Sequence, residues 1–107
     1  MYADSFTFPL VALGADGIVS VVSNEVPREF SRMVRLALDG RYAAALKIHN
    51  RLLPLMSANF IESNPIPVKA ALAMMGRIEA RYRLPLVPMG AENLKIFSRI
   101  LRDLKLI

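Results

Sequence analysis

The run Gly17–Asn24 (GIVSVVSN) constrains the fold of this 107-residue chain more than any other feature. It is β-branched and almost wholly apolar, and Val21 and Val22 break the alternation that a half-buried strand would show. Such a run predicts a strand buried on both faces, as in a parallel sheet. A buried strand must pair along both edges. Because only helical patterns surround it, the sequence predicts the end of a larger α/β fold rather than a complete domain.

Five helical patterns surround the predicted strand. Asp4 is a suitable N-cap for the first, and Pro27 opens a second, amphipathic helix that Gly40 ends. Pro54 is expected to kink or split the third. In the sequence NPIPVK, Pro67 suits a first helical position. The helices are expected over residues 4–13, 27–40, from 42 onward, 67–75 and from 91 onward.

The composition limits the possible classes of protein. Hydrophobic residues make up 54% of the chain, which is far from a disordered composition. No apolar run approaches the roughly 18 residues that span a bilayer, and the first 15 residues lack the basic start of a signal peptide. The absence of cysteine excludes disulfides and thiolate metal sites. We therefore expect a cytoplasmic chain with no membrane contact.

The net charge of +5 raises the question of an anionic partner. The 14 lysines and arginines are scattered along the chain, however, and nine acidic residues are interspersed among them. This pattern is typical of solvated helix faces, so no nucleic-acid partner is expected. A basic nucleic-acid binder stays an alternative that rests on charge alone, and salt-dependent binding to duplex DNA would favour it.

Several side chains could carry chemistry, but each has a structural explanation. Lys69 lies near a helix N-terminus, where the helix dipole disfavours its charge, yet a structural turn explains NPIPVK without catalysis. Lys47 is expected at a helix surface. His49, the only histidine, is expected to be packed and half-buried, since no second histidine or cysteine accompanies it. Glu62 has no paired carboxylate at a useful spacing. Ser20 and Ser23 lack the glycine-framed elbow of a catalytic nucleophile. We predict no catalytic residue, metal site or cofactor in this chain.

Four stretches together resemble one known family. They are ALGADGIVSV, PREF, RLLPLMSANFIESNPIPVKAALAMMG and RLPLVPMGAEN. They are similar to the C-terminal third of the dihydrodipicolinate synthase family, within the pyruvate-dependent class I aldolases of the N-acetylneuraminate lyase superfamily. The resemblance implies a mostly α-helical chain that is the last part of a (β/α)8 TIM barrel, with one buried strand, plus a C-terminal helical domain. Residues 4–40 would end the barrel, and residues 41–107 would form the helical domain.

The resemblance also implies an activity. Members of this family condense pyruvate with aspartate 4-semialdehyde, a step toward diaminopimelate and lysine. They hold pyruvate as a Schiff base on a lysine, with help from a tyrosine, and both residues belong to barrel strands that would precede this chain. The fragment is therefore expected to be inactive alone. Homo-oligomers, tetramers or dimers, are expected for the intact family enzyme, with pyruvate as its ligand.

The resemblance assigns one binding role within the chain. The backbone carbonyl of Val19 would line the pyruvate site, at the position of strand eight in the barrel. A Gly-Asp-Asp motif of the family would fall just before the first helix, where only its last residue, Asp4, matches. The divergence over Met1–Ala3 suggests a truncated or rearranged start. Two further alternatives stay open: a small helical interaction module, and another pyruvate-dependent aldolase such as N-acetylneuraminate lyase.

Overall fold

The computed structural model describes residues 3–107, which fold into five α-helices and two short 3-10 helices. The predicted divergence over Met1–Ala3 therefore lies outside the described residues except for Ala3. The mostly helical character that the sequence predicts is confirmed. The α-helices are α1 (Thr7–Ala12), α2 (Pro27–Leu38), α3 (Tyr42–Ala58), α4 (Ile66–Met74) and α5 (Ala91–Asp103), and the 3-10 helices are Asp4–Phe6 and Val22–Asn24.

The strand predicted over Gly17–Asn24 is not formed. Residues 15–20 have no regular secondary structure, and Val22–Asn24 is a 3-10 helix. A strand exists only as part of a hydrogen-bonded ladder, and residues 3–107 contain no second strand that could pair with this one. The side chain of Val19 is accordingly 76% exposed, although the pattern predicts burial on both faces.

Helices α2 and α3 form the most extensively packed pair of the fold. Gly40, with φ of +76°, makes the left-handed turn between them, which an L side chain would adopt only with strain. The predicted apolar stripe of α2 is buried at Phe30, Met33 and Ala37. Opposite it, α3 buries Leu52 and its neighbours and runs unbroken through Pro54. The expected split at Pro54 therefore does not occur, because the residues on both sides of it are held in the core.

The buried face of α3 agrees only in part with the one that periodicity predicts, which consists of Tyr42, Ala45, Leu46, Leu53, Met56 and Phe60. Ala45 and Met56 are buried as predicted, but Tyr42, Leu46 and Phe60 are each between 42% and 47% exposed. The helix also buries Leu52, Leu55 and Ala58, which the pattern did not predict. A helix in which apolar residues lie nearly all the way round offers more than one apolar stripe, so periodicity alone does not select the face that packs.

Helices α4 and α5 complete the core. Helix α4 begins one residue before the predicted start at Pro67, and most of its first turns are buried. Helix α5 turns Phe97 and Leu101 inward, and both are fully buried. Arg51, on α3, links this helix to α2 and to the end of α5. Its guanidinium donates hydrogen bonds to both carboxylate oxygens of Glu29 on α2, at 3.0 and 3.1 Å, and to the carbonyl of Leu104 after α5, at 3.1 Å.

Candidate functional site

The segment that carries Val19 connects α1 to the 3-10 helix Val22–Asn24. The backbone that follows Val19 is held by side chains. Ser20 Oγ accepts a hydrogen bond from the Ser23 N–H, and Ser23 Oγ donates to the Ser20 carbonyl, both at 3.1 Å. Within residues 3–107 the Val19 carbonyl accepts no hydrogen bond. Hydrogen bonds from side chains therefore fix the residues that follow Val19.

Asp4 provides the strongest anchor of this segment. Its carboxylate Oδ2 accepts hydrogen bonds from the backbone N–H groups of Val21, at 3.1 Å, and Val22, at 2.8 Å. Asp4 is 2% exposed and lies in the 3-10 helix Asp4–Phe6. The prediction that it caps the first helix is wrong, because its side chain makes no capping bond there. It binds the amides of a distant turn instead, and hydrogen bonds to an ionised acceptor are about twice as strong as neutral ones.

We expect Asp4→Ala to lower the free energy of unfolding by about 2–3 kcal/mol, since it leaves two backbone N–H groups without an acceptor. Urea denaturation followed by circular dichroism would measure the change. Asp16→Ala is the matched control, because Asp16 lies exposed on the neighbouring loop and its loss should change stability by less than about 0.5 kcal/mol. Equal effects of the two substitutions would contradict the anchoring role.

The buried polar residues of the described chain are Asp4, Thr7, Glu25 and Asn59, which we call the buried polar cluster; Asp4 and Glu25 interact electrostatically. Asn59, which follows α3, donates from Nδ2 to Glu25 Oε1 at 2.7 Å. Burial raises the pKa of Glu25 to about 8, and the nearby negative charge of Asp4 adds to this rise, while the bond from Asn59 opposes it. Four buried oxygens of the cluster have no hydrogen-bond partner: Asp4 Oδ1, Thr7 Oγ1, Glu25 Oε2 and Asn59 Oδ1. Sequence reasoning missed this cluster, since its members are far apart in the chain and each resembles an ordinary loop or helix-end residue.

His49 is half-buried, as the sequence predicts. Its ring centroid lies 5.6 Å from that of Phe8, which in turn makes an edge contact with Tyr42 at 6.2 Å. Burial lowers the pKa of His49. The residue therefore packs α1 against α3. No group of three or more histidine, cysteine, aspartate or glutamate side chains that could hold a metal ion occurs among residues 3–107.

Lys69 lies in the first turns of α4, with its Nζ 5.2 Å from the ring centroid of Tyr82. The face of an aromatic ring attracts a charged ammonium group, whereas a Schiff-base nucleophile must lose its charge to react. Tyr82 is itself titratable, and burial raises its pKa. Lys69 does not line the grooves of about 730, 460 and 340 Å³ on the described part of the chain. Its surroundings are those of a packing residue.

Glu62 also has a structural role. Its Oε2 accepts hydrogen bonds from the Gly90 N–H, at 3.0 Å, and from Asn93 Nδ2, at 2.9 Å. These bonds hold the N-terminus of α5 against the end of the α3–α4 connection. Lys47 is exposed on α3, as predicted. The structure thus gives Lys47 and Glu62 no catalytic neighbour.

One open groove of about 730 Å³ lies beside the polar cluster. We call it the arginine-lined groove, because Arg28 and Arg32 of α2 and Arg77 after α4 line it. The remaining lining residues are Glu25, Val26, Pro27, Glu29 and Ile48. Glu29 is engaged by Arg51 in an ion pair of 3.0 Å, so the arginines dominate the charge of the groove.

A second groove, of about 340 Å³, lies between the Val19 segment and α2. Ile18, Phe30 and Val34 give it an apolar wall, and Ser20, Ser23 and Ser31 give it hydroxyl groups. No helix within residues 3–107 is long and apolar enough to cross a membrane.

Comparison with known proteins identifies the family. Residues 3–104 match the model of the dihydrodipicolinate synthetase family. The chain is 61% identical over 90 residues to the 4-hydroxy-tetrahydrodipicolinate synthase of Koribacter versatilis, covering 84% of this chain and 30% of that protein. It is 54% identical to the same enzyme of Methanocaldococcus jannaschii, over 97% of this chain and 36% of that protein.

Solved structures agree with this result. The dihydrodipicolinate synthase of Thermotoga maritima superimposes with a TM-score of 0.93 at 41% identity, covering 97% of this chain and 35% of that one. The dihydrodipicolinate synthase of Acinetobacter baumannii, crystallised with pyruvate, superimposes with a TM-score of 0.94 at 36% identity, covering 98% of this chain and 36% of that one. The predicted fold class, part of a TIM barrel with added helices, is confirmed. The chain spans about a third of the length of the relatives that it matches, and it belongs to the dihydrodipicolinate synthetase family.

Proposed function

We propose that this chain is the C-terminal third of a Schiff-base-forming lyase that condenses pyruvate with aspartate 4-semialdehyde in lysine and diaminopimelate biosynthesis. The observation that carries the proposal is the 54% identity to a curated synthase, which extends over 97% of the chain. In this assignment residues 4–40 end the barrel and residues 41–107 form the C-terminal helical domain. The intact enzyme would be a cytoplasmic homo-oligomer, a tetramer or dimer.

We assign to Val19 the role of lining the pyruvate site with its backbone carbonyl. Three features support this assignment: the exposure of Val19, a carbonyl without a hydrogen bond in the described chain, and the anchoring of the next residues by Asp4. A related synthase has been crystallised with pyruvate. A main-chain contact also tolerates variation of the side chain, so valine is compatible with the role.

The chain alone is expected to have no synthase activity. Covalent catalysis on pyruvate needs a lysine that loses its charge, and Lys69 has the surroundings of a charged packing residue. The alternative of an N-acetylneuraminate-type aldolase receives less support, because both reported relatives are synthases.

Borohydride trapping with pyruvate tests this proposal. The purified 107-residue chain, prepared free of host synthase, should show no reduced pyruvyl adduct by mass spectrometry and no turnover with aspartate 4-semialdehyde. The full-length Methanocaldococcus jannaschii synthase, treated identically, is the positive control. An adduct on Lys69, or turnover that Lys69→Ala abolishes, would show that the active lysine is in this chain and would overturn the proposal.

A further inference from the structure

Glu25 lies between two different environments. On one side its Oε1 accepts a hydrogen bond from Asn59 within the buried polar cluster, at 2.7 Å. On the other side the same residue lines the arginine-lined groove, which is open to solvent. Glu25 is only 4% exposed in its present position. A small rotation of its side chain would therefore exchange a buried environment for a wet and positively charged one.

The inner environment favours a protonated Glu25. The unpartnered oxygens of Asp4 and Asn59 can only accept hydrogen bonds, and the Thr7 hydroxyl is the only donor among the four unpartnered atoms. A protonated Glu25 would supply a donor from Oε2. An ionised Glu25 would place a second negative charge beside the Asp4 carboxylate in a site that water does not reach, which is costly.

The outer environment favours an ionised Glu25. The charged groups that face it there are Arg28, Glu29 and Arg32 from α2 and Arg77 from the turn after α4. Glu29 is already paired with Arg51, and α3 contributes only the neutral Ile48 and Asn59. The positive charge of the three arginines in the groove therefore exceeds the negative charge of Glu29, which Arg51 already neutralises. An ionised side chain would be attracted to this groove and solvated in it.

We propose that Glu25 is a two-position proton switch: when protonated it stays bonded to Asn59, and when ionised it moves into the arginine-lined groove and releases Asn59. The consequence reaches the Val19 segment. Glu25 directly follows the 3-10 helix Val22–Asn24, whose Val22 N–H is bound by Asp4. We therefore expect movement of Glu25 to shift the backbone next to the anchored residues Val21 and Val22. Burial raises the pKa of Glu25 to about 8, and attraction of the ionised side chain to the arginines draws the midpoint of the transition below this value.

NMR titration of the labelled 107-residue chain between pH 6 and 10 tests the switch. The Glu25 carboxyl carbon and the Asn59 side-chain amide should titrate together, with a common midpoint above the ordinary value of 4.5 and below the value of about 8 for a side chain that stays buried. Amide exchange of Val21 and Val22 should accelerate above this midpoint relative to the Glu25→Gln variant at each pH. Glu25→Gln is the matched control because it keeps the size of the side chain and the bond from Asn59 but cannot ionise.

The groove is tested separately by removing its charges. Arg28→Ala and Arg77→Ala should each raise the midpoint, because the ionised side chain loses an attractive partner. Arg99→Ala, on the exposed face of α5, should leave it unchanged. An Asn59 amide that keeps its chemical shift while Glu25 ionises would overturn the proposal. So would a transition that survives Glu25→Gln, or equal midpoints in all three arginine variants.

Discussion

The free energy of unfolding of this chain should fall by several kcal/mol as the pH rises from 4.5 to 8. Glu25 has a pKa of about 8 in the folded chain, against an ordinary value of 4.5. Between these values the folded state holds a proton that the unfolded state has released, so raising the pH favours unfolding. The contribution of Glu25 is complete below pH 4.5 and is lost as the pH approaches 8. At about 1.4 kcal/mol per pKa unit, the loss is on the order of 5 kcal/mol.

Urea denaturation at pH 5, 6.5 and 8 would measure this dependence. Glu25→Gln removes the ionisable group, so the variant should lose most of the decline and exceed the parent in stability at pH 8. The difference between the two profiles isolates the contribution of Glu25 from that of His49. The lowered pKa of His49 makes stability rise with pH, whereas Glu25 makes it fall. His49 costs stability only as the pH falls through 6.5, where the unfolded state takes up a proton first. Parallel profiles for parent and variant would contradict the buried, protonated Glu25.

Phe97→Ala should lower the free energy of unfolding by about 3–5 kcal/mol, the usual cost of removing a buried phenylalanine ring. The Phe97 side chain is 0% exposed and belongs to the core cluster that α5 shares with α2 and α3. The substitution removes the transfer free energy of the ring and leaves a cavity. Because small domains are stable by only about 5–15 kcal/mol, this loss is a large part of the total stability.

Ile96→Ala is the matched control for this substitution. Ile96 precedes Phe97 on the same helix and is 51% exposed, so its loss should cost less than about 1 kcal/mol. Thermal and urea denaturation of the two variants in parallel would give the comparison. Similar losses at both positions would show that α5 does not pack as described.

Periodicity and helix-end signals predicted much of this fold. The helical spacing of Phe30, Met33 and Ala37 predicts the inner face of α2, and all three are buried. Gly40 predicts the end of α2, and its φ is positive in the structure. The spacing of Leu94, Phe97, Leu101 and Leu104 likewise predicts the inner face of α5; the last three are buried, while Leu94 is 36% exposed. These features depend on residues close in sequence, so the pattern contains the information.

Features that depend on distant residues escaped prediction. The run at Gly17–Asn24 has a strand composition, but its conformation depends on hydrogen-bonding partners that residues 3–107 do not contain. The bond between Glu25 and Asn59 joins residues 34 positions apart, and no local pattern distinguishes this glutamate from a solvated one. For the candidate site, the resemblance assigns a role to Val19, which stays a prediction, but neither resemblance nor pattern predicted that Asp4 anchors the residues after it.

The guanidinium of Arg51 bears on how the chain melts. One side chain joins α2, α3 and the end of α5, and the proposed boundary at residues 40 and 41 lies between the two helices that pack most extensively. Elements that share such contacts are expected to open together rather than as independent foldons. We therefore expect residues 3–107 to unfold as one cooperative unit, with no independently stable part on either side of the proposed boundary.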